Sequence, residues 1–335
     1  MKTWRLTGAG VDSLRFGNED VAAPGPGEVQ VAMRAAAINY RDLGVAQGVY
    51  PAAPNLVPFS DGAGTVTALG AGVDGFAVGD EIVTCFYENW QGGRGTPANR
   101  ARSFGSERDG VLAELVNLPV SGLVRKPANL DFAEAATLTC AGLTAWSALF
   151  REGGLLAGQH LVAQGTGGVA IFALQFAKMA GATVTVLSSS DAKLDRAAAM
   201  GADHLVNYRK TPDWQDEVRA FTGGRGADVV VEVGGSETFP RSQACLAMEG
   251  TIAIVGLLSG IDAALSIPLT IGNRQRIHGV TVGHREDMLA MVRAVETNGV
   301  VPVVDGHYAL AEARRAYDDL PTGKHFGKLV VDVAG

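Results

Sequence analysis

The segment Gln164-Gly165-Thr166-Gly167-Gly168-Val169-Ala170 has the spacing Gly-x-Gly-x-x-Ala. It follows the apolar run His160-Leu161-Val162-Ala163 and opens a helical pattern from Val169 to Ala180. In that context Gly165 permits a tight turn, Gly167 lets backbone approach a pyrophosphate, and Ala170 keeps the helix close to the sheet. Free N–H groups at the helix start, around Thr166, Gly168 and Val169, would face the phosphates of a dinucleotide. The competing reading is a Gly-rich turn in some other α/β protein.

The end of the next strand bears on which dinucleotide. A carboxylate about 20 residues on usually binds the adenosine ribose hydroxyls. Here the sequence reads Leu187-Ser188-Ser189-Ser190-Asp191-Ala192-Lys193. Ser188 stands where the acid is expected. Small hydroxyls can donate to a 2′-phosphate, and Lys193 can add positive charge. Tyr208 is a candidate to close the adenosine pocket. The expectation is NADP(H) in preference to NAD(H), with Asp191 as a ribose-binding acid the alternative. Gly234, Val255, Gly256 and Leu257 follow strand ends, where ligands lie in open parallel sheets.

These residues need a scaffold, and the 335-residue chain is long enough for about two domains. Hydrophobic residues make up 47% and charged residues 19%, so a packed core is expected and wholesale disorder is not. The net charge of −7 argues against a nucleic-acid partner. No apolar window reaches the roughly 20 residues of a membrane span, so no membrane partner is expected either. Cys85, Cys140 and Cys245 are far apart, which is neither a disulfide framework nor a Cys-x-x-Cys metal site. A reducing cytoplasm is the expected compartment.

Up to about residue 125 the pattern is β-rich and predicts a barrel-like domain. Residues 28–33, 64–69 and 80–84 read as short strands punctuated by turns. Phe86 to Gly110 has no clean periodicity and reads as a long surface loop, solvated or acting as a substrate lid. Asp131 to Ala136 opens a helix. From Gln159 to Val255 strands alternate with helices: 160–163, 183–187, 227–233 and 251–255 as strands, 169–180 and 191–200 as helices. That alternation predicts a doubly wound parallel sheet of the Rossmann type. A helix at 312–320 and a strand at 328–333 close the chain.

The fingerprint and several further segments resemble the medium-chain dehydrogenase/reductase superfamily along the whole chain. Asn39-Tyr40-Arg41-Asp42 is similar to the Asn-x-x-Asp element of its quinone reductase-like branch. Pro58-Phe59-Ser60-Asp61-Gly62-Ala63-Gly64 resembles the segment after it. Cys140-Ala141-Gly142-Leu143-Thr144-Ala145-Trp146 resembles the helix leading into the cofactor half, and His325-Phe326-Gly327-Lys328 the closing element. The resemblance implies a β-rich GroES-like catalytic domain, split over 1–125 and 285–335. A Rossmann domain over 126–284 would interrupt it, with the active site in the cleft between them.

Catalytic zinc in this family needs an early Cys, a His-Glu pair and a later Cys or Asp. The aligned residues here are Asn39, Ser60 with Asp61, and Cys140. The four clustered cysteines of the structural zinc lobe are missing from 86–110 as well. No zinc is therefore expected. The six histidines form no ligand-spaced pair. Without a Lewis acid, alcohol oxidation is hard, whereas a quinone or an α,β-unsaturated carbonyl accepts hydride at a carbon whose charge spreads onto oxygen.

Tyr50 resembles the tyrosine that zinc-free relatives place near the nicotinamide, where it could donate to the acceptor's carbonyl oxygen; the other reading is a packing residue at a turn. By resemblance Asn39 would contact the nicotinamide ribose and Asp42 would orient donors. Tyr40 would lie beside the pyrophosphate, Thr144 near the nicotinamide, and Phe326, Gly327 and Lys328 near the cofactor phosphates or ribose. The apolar segment 274–283 would continue the sheet across a homodimer. The expected activity is NADPH-dependent, zinc-free hydride transfer to a quinone or enone small-molecule acceptor. The alternatives are alcohol–carbonyl chemistry of the same family, or a non-catalytic NADPH-binding regulator.

Overall fold

A computed structural model describes residues 1–333. The chain forms two compact units. The first joins Met1–Leu143 to the segment from Gly283 onward, and the second is Thr144–Val282.

The first unit is built on a seven-stranded sheet. Its long central strand, Glu28–Ala37, alternates buried and half-buried residues and pairs antiparallel with Asp61–Leu69. On its other edge it pairs with Leu115–Pro119 at one end and with Lys328–Asp332 at the other. Glu81–Thr84 and Leu123–Arg125 extend the sheet beyond Asp61–Leu69, and Val304–Ala309 lies outside Lys328–Asp332. A hairpin of Lys2–Leu6 and Leu14–Asn18 packs Trp4, Leu6 and Leu14 into the same core. Phe59, Phe104 and Met33 are among its largest fully buried side chains.

Residues 126–143 belong to this unit, which moves the first boundary expected from the sequence. The physical reason lies in the short helix Phe132–Ala136. Arg34 of the central strand lies over the Phe132 ring, and Ala135 and Ala136 are fully buried. The next turn, Leu138–Gly142, is pinned when Thr139 Oγ1 donates to the Thr84 carbonyl at 2.7 Å.

The 86–110 segment also departs from expectation, because its two ends are buried in the core. Phe86, Tyr87, Trp90 and Phe104 are buried. Tyr87 packs edge-on to both Phe86 and Trp90, and Trp90 packs edge-on to His284. Four aromatic rings hold this excursion down, and only its middle is solvated.

The second unit is a six-stranded parallel sheet. The strand order is His204–Asn207, Thr183–Ser188, His160–Gln164, Ala227–Glu232, Leu246–Ile254, Arg276–Gly279. In chain order that is 3-2-1-4-5-6, the dinucleotide-binding arrangement with its switch point between the first and fourth strands. The first strand is buried throughout, as a strand covered on both faces must be. The helix Gly168–Met179 buries Ala170, Ile171, Phe172 and Leu174, and Gly181 at φ +80° follows its end.

Candidate functional site

In the second unit the turn after His160–Gln164 has the geometry its glycines suggest. Gly165 has φ +78°, a region that side-chain-bearing residues rarely adopt. Its N–H donates to the Leu187 carbonyl at 2.7 Å, fixing the turn to the second strand. Nothing lies within 4 Å of where a Cβ would stand on Gly165 or Gly167, so the backbone here is open to a ligand. Gly167 caps the helix Gly168–Met179 without a side-chain acceptor, which leaves first-turn N–H groups of Gly168 and Val169 for an anion. Thr166 is buried beside them. This cradle fits a dinucleotide pyrophosphate.

Ser188 is buried at the end of the second strand, and its oxygen accepts from the Ser190 N–H at 3.2 Å. Its proton remains available to donate. Asp191 is exposed but engaged: Lys210 Nζ reaches it at 2.6 Å and Asn207 Nδ2 at 2.7 Å. Ser189 and Lys193 sit on the same strand–helix connection, and Tyr208, partly exposed, donates its N–H to the Ser188 carbonyl.

At the switch point a buried carboxylate escaped the sequence reading. Glu232 accepts from Gln164 Nε2 at 2.8 Å, from the Gly234 and Gly235 N–H groups, and from the Thr238 and Ser242 hydroxyls. The Val255 and Gly256 N–H groups donate to its carbonyl. The glycines there have a packing reason as well. A Cβ on Gly256 would stand 2.5 Å from the Val233 carbonyl oxygen, and one on Gly234 would stand 2.2 Å from Thr238 Oγ1. Leu257 is half exposed. The one available signal for this network was a charged residue closing the otherwise apolar run Ala227–Glu232.

In the first unit the residues around Asn39 form a buried polar cluster. The Asp42 carboxylate reaches back to the Asn39 N–H at 2.8 Å and so holds the start of the helix Tyr40–Ala46. It is fully buried, and desolvation pushes it up to about 6 despite Arg41 beside it. Asp61 accepts from Ser60 Oγ at 2.6 Å and from the Cys140 N–H at 3.1 Å. Burial raises it, with the charge of Lys328 acting in the opposite direction. Lys328 is itself only 4% exposed and donates to the Ile38 carbonyl at 2.6 Å and to Asn39 Oδ1 at 2.5 Å. Its ammonium is thus engaged inside the unit, with two of its three donors used. Burial drives the Cys140 thiol strongly upward, against thiolate formation.

The other expected residues scatter. Tyr50 is partly exposed after the Tyr40–Ala46 helix, against Gly44. The Tyr40 hydroxyl donates to the Leu320 carbonyl at 3.1 Å. Thr144 is buried at the start of the second unit. Phe326 is buried, and Gly327, at φ +87°, has no room for a side chain beside the Val303 carbonyl. Both positions have a packing reason.

Residues 25–128 match the alcohol dehydrogenase GroES-like domain, and residues 168–297 match the zinc-binding dehydrogenase model. A zinc-type alcohol dehydrogenase-like protein of Schizosaccharomyces pombe is 42% identical over 316 residues, which span 92% of this chain and 91% of that protein. The chain belongs to the medium-chain dehydrogenase/reductase superfamily. It is an NAD(P)-dependent oxidoreductase of that superfamily. Among solved members, an NAD-dependent alcohol dehydrogenase superposes with TM-score 0.91 at 36% identity, covering all of both chains. Mycobacterial Rv1454c complexed with NADPH superposes at 0.84 with 26% identity, covering 99% of this chain and 100% of that one.

The superfamily's nicotinamide dinucleotide fits the open Gly165–Val169 cradle. Its catalytic zinc does not fit the Asn39 cluster. The aligned positions supply a carboxamide, a hydroxyl, a carboxylate already bonded twice and a thiol held protonated, with an ammonium among them. Among the described residues, no group of three or more His, Cys, Asp and Glu is arranged to hold a metal ion.

Proposed function

We propose that the protein is an NADPH-dependent, zinc-free reductase that transfers hydride to a quinone or an α,β-unsaturated carbonyl. The observation carrying this reading is the Asn39–Asp61–Cys140–Lys328 cluster, whose chemistry leaves no Lewis acid to generate an alkoxide. Acceptors that delocalise the incoming charge need only orientation and a hydrogen-bond donor. The nicotinamide nucleotide, when bound, supplies the hydride. Gly165 to Val169 bind its pyrophosphate, and Asn39 and Thr144 orient its nicotinamide end. Tyr50 donates to the acceptor oxygen. The preference for NADPH is supported by the Ser188 hydroxyl, by Lys193, and by the engagement of Asp191 with Lys210 and Asn207.

A homodimer completes the reading. The strand Arg276–Gly279 ends its sheet with one neighbour, and Leu258, Ile261, Ile267 and Ile271 of the same unit are exposed. The three free thiols suit a cytoplasmic protein. No helix among the described residues is long and apolar enough to cross a membrane.

The relatives' names favour alcohol oxidation as the second reading. NADPH oxidation with 1,2-naphthoquinone and with a simple enone separates the two, run with and without chelator and with NADH alongside. Chelator-insensitive turnover that prefers NADPH is expected. Turnover abolished by the chelator, or seen only with alcohols, would overturn the proposal.

A further inference from the structure

We infer that Lys328 is the resident cation of the buried cluster, a positioning residue that balances Asp61 and sets the carboxamide of Asn39. The inference rests on the metal-free reading above and assigns what replaces the metal's charge.

The placement follows from strand register. Lys328–Asp332 pairs with the end of the central strand, Val330 opposite Ala37. Continued by two residues, that register sets Lys328 opposite Asn39. The Ile38 N–H donates to the Leu329 carbonyl at 3.2 Å and holds the two chains together at this point. The ammonium therefore arrives by backbone pairing rather than by a flexible reach.

Its chemistry then fixes the neighbours. An ammonium only donates, so the Asn39 atom facing it at 2.5 Å is the carbonyl oxygen. Asn39 Nδ2 must turn away. It is buried and faces Asp61, where it helps to hold that carboxylate charged.

Charge balance gives the second argument. Asp42 and Asp61 are 2% and 0% exposed. Arg41 stands at 3.5 Å from Asp42, and the Lys328 ammonium, fixed on Asn39 and Ile38, favours the ionised form of Asp61. Two buried carboxylates meet two cations. A divalent metal added to this set would have to displace the ammonium, whereas in a zinc site the metal supplies the positive charge.

The test compares the melting of wild type, K328M and K328M/D61N, together with zinc content by native mass spectrometry after incubation with zinc chloride. K328M leaves a buried carboxylate uncompensated and is expected to melt roughly 10 °C lower. Removing that charge with D61N is expected to restore at least half of the loss, which a merely space-filling lysine would not allow. Should K328M alone fail to fold, folding of the double variant carries the same meaning. In selectively labelled protein, the Asn39 side-chain amide resonances should move between wild type and the double variant. A double variant no more stable than K328M, unmoved amide resonances, or one zinc per wild-type chain that is lost in C140A, would overturn the inference. None of these readouts uses substrate. A protein inactive towards quinones would sink the proposed function and leave this assignment standing.

Discussion

The ring of Tyr50 lies on Gly44: a Cβ at residue 44 would stand 2.6 Å from Tyr50 Cε2. The helix Tyr40–Ala46 thus keeps a glycine in its second turn, where a side chain would otherwise push the tyrosine away. If the Tyr50 hydroxyl donates to the acceptor oxygen, Y50F should lower kcat by about 10²-fold with the NADPH KM unchanged. G44A should lower it as well, by moving the ring without removing the hydroxyl. Steady-state kinetics on both variants check this. Wild-type kcat in Y50F would return Tyr50 to a packing role.

Ser188 and Asp191 make opposite demands on the cofactor. S188A should raise the NADPH KM by about 10- to 100-fold, the worth of one hydrogen bond to a charged group. It should leave NADH nearly untouched. S188D should go further and invert the preference. The ratio of kcat/KM for the two nucleotides is the measurement, and a ratio unaltered in both variants would move the 2′-phosphate contact elsewhere.

His160 makes the second unit sensitive to acid. Its ring bridges Thr183 Oγ1 and Thr185 Oγ1, both at 2.8 Å, and burial pushes its pKa down to about 4. The unfolded chain, with a histidine near 6.5, takes up a proton first as pH falls. Stability from this group is therefore complete above about pH 6.5 and is lost between there and about 4, to roughly 3 kcal/mol. Asp42 in the first unit has the opposite sign, since its raised pKa favours the folded state in acid. The informative quantity is thus the difference between wild type and H160N in chemical denaturation at pH 7 and pH 4.5. H160N should be the less pH-dependent of the two.

Ile271 is 72% exposed beside the sheet edge and contributes little to its own unit's core. I271D should leave the fold intact and shift sedimentation from twice the chain mass to the chain mass. An unshifted dimer would place the interface on another face.

Periodicity made most of the second unit legible. The six-residue strand Thr183–Ser188 and the helices Gly168–Met179 and Asp191–Ala199 fall within a residue of the pattern that predicted them. Local signals suffice there because the strands are mostly apolar or β-branched and the helices Gly168–Met179 and Asp191–Ala199 are each followed by a left-handed glycine, Gly181 and Gly201. Resemblance named the members of the Asn39 cluster, but their contacts with one another, and the Glu232 network, were not legible, for a physical reason. Lys328, after Gly327, and Glu232, closing an apolar run, look like ordinary charged residues. What buries them is pairing with residues 289 and 68 positions away, Asn39 and Gln164. The 86–110 excursion misled for a related reason: its aromatics are spaced irregularly, and they become core only against one another and His284.

The strand Lys328–Asp332 lies inside its sheet, between Val304–Ala309 and Glu28–Ala37. During synthesis the second unit, Thr144–Val282, is a continuous stretch and can fold as soon as it leaves the ribosome. The first unit begins earlier but must wait. Its central strand pairs over Glu28–Ala32 with Leu115–Pro119, but the Ala35–Ala37 stretch of that edge stays open until Lys328–Asp332 emerges, and the same five residues bring in the Lys328 ammonium. A nascent chain truncated before residue 328 would hold a finished nucleotide cradle and, in its other unit, a sheet with that stretch still open.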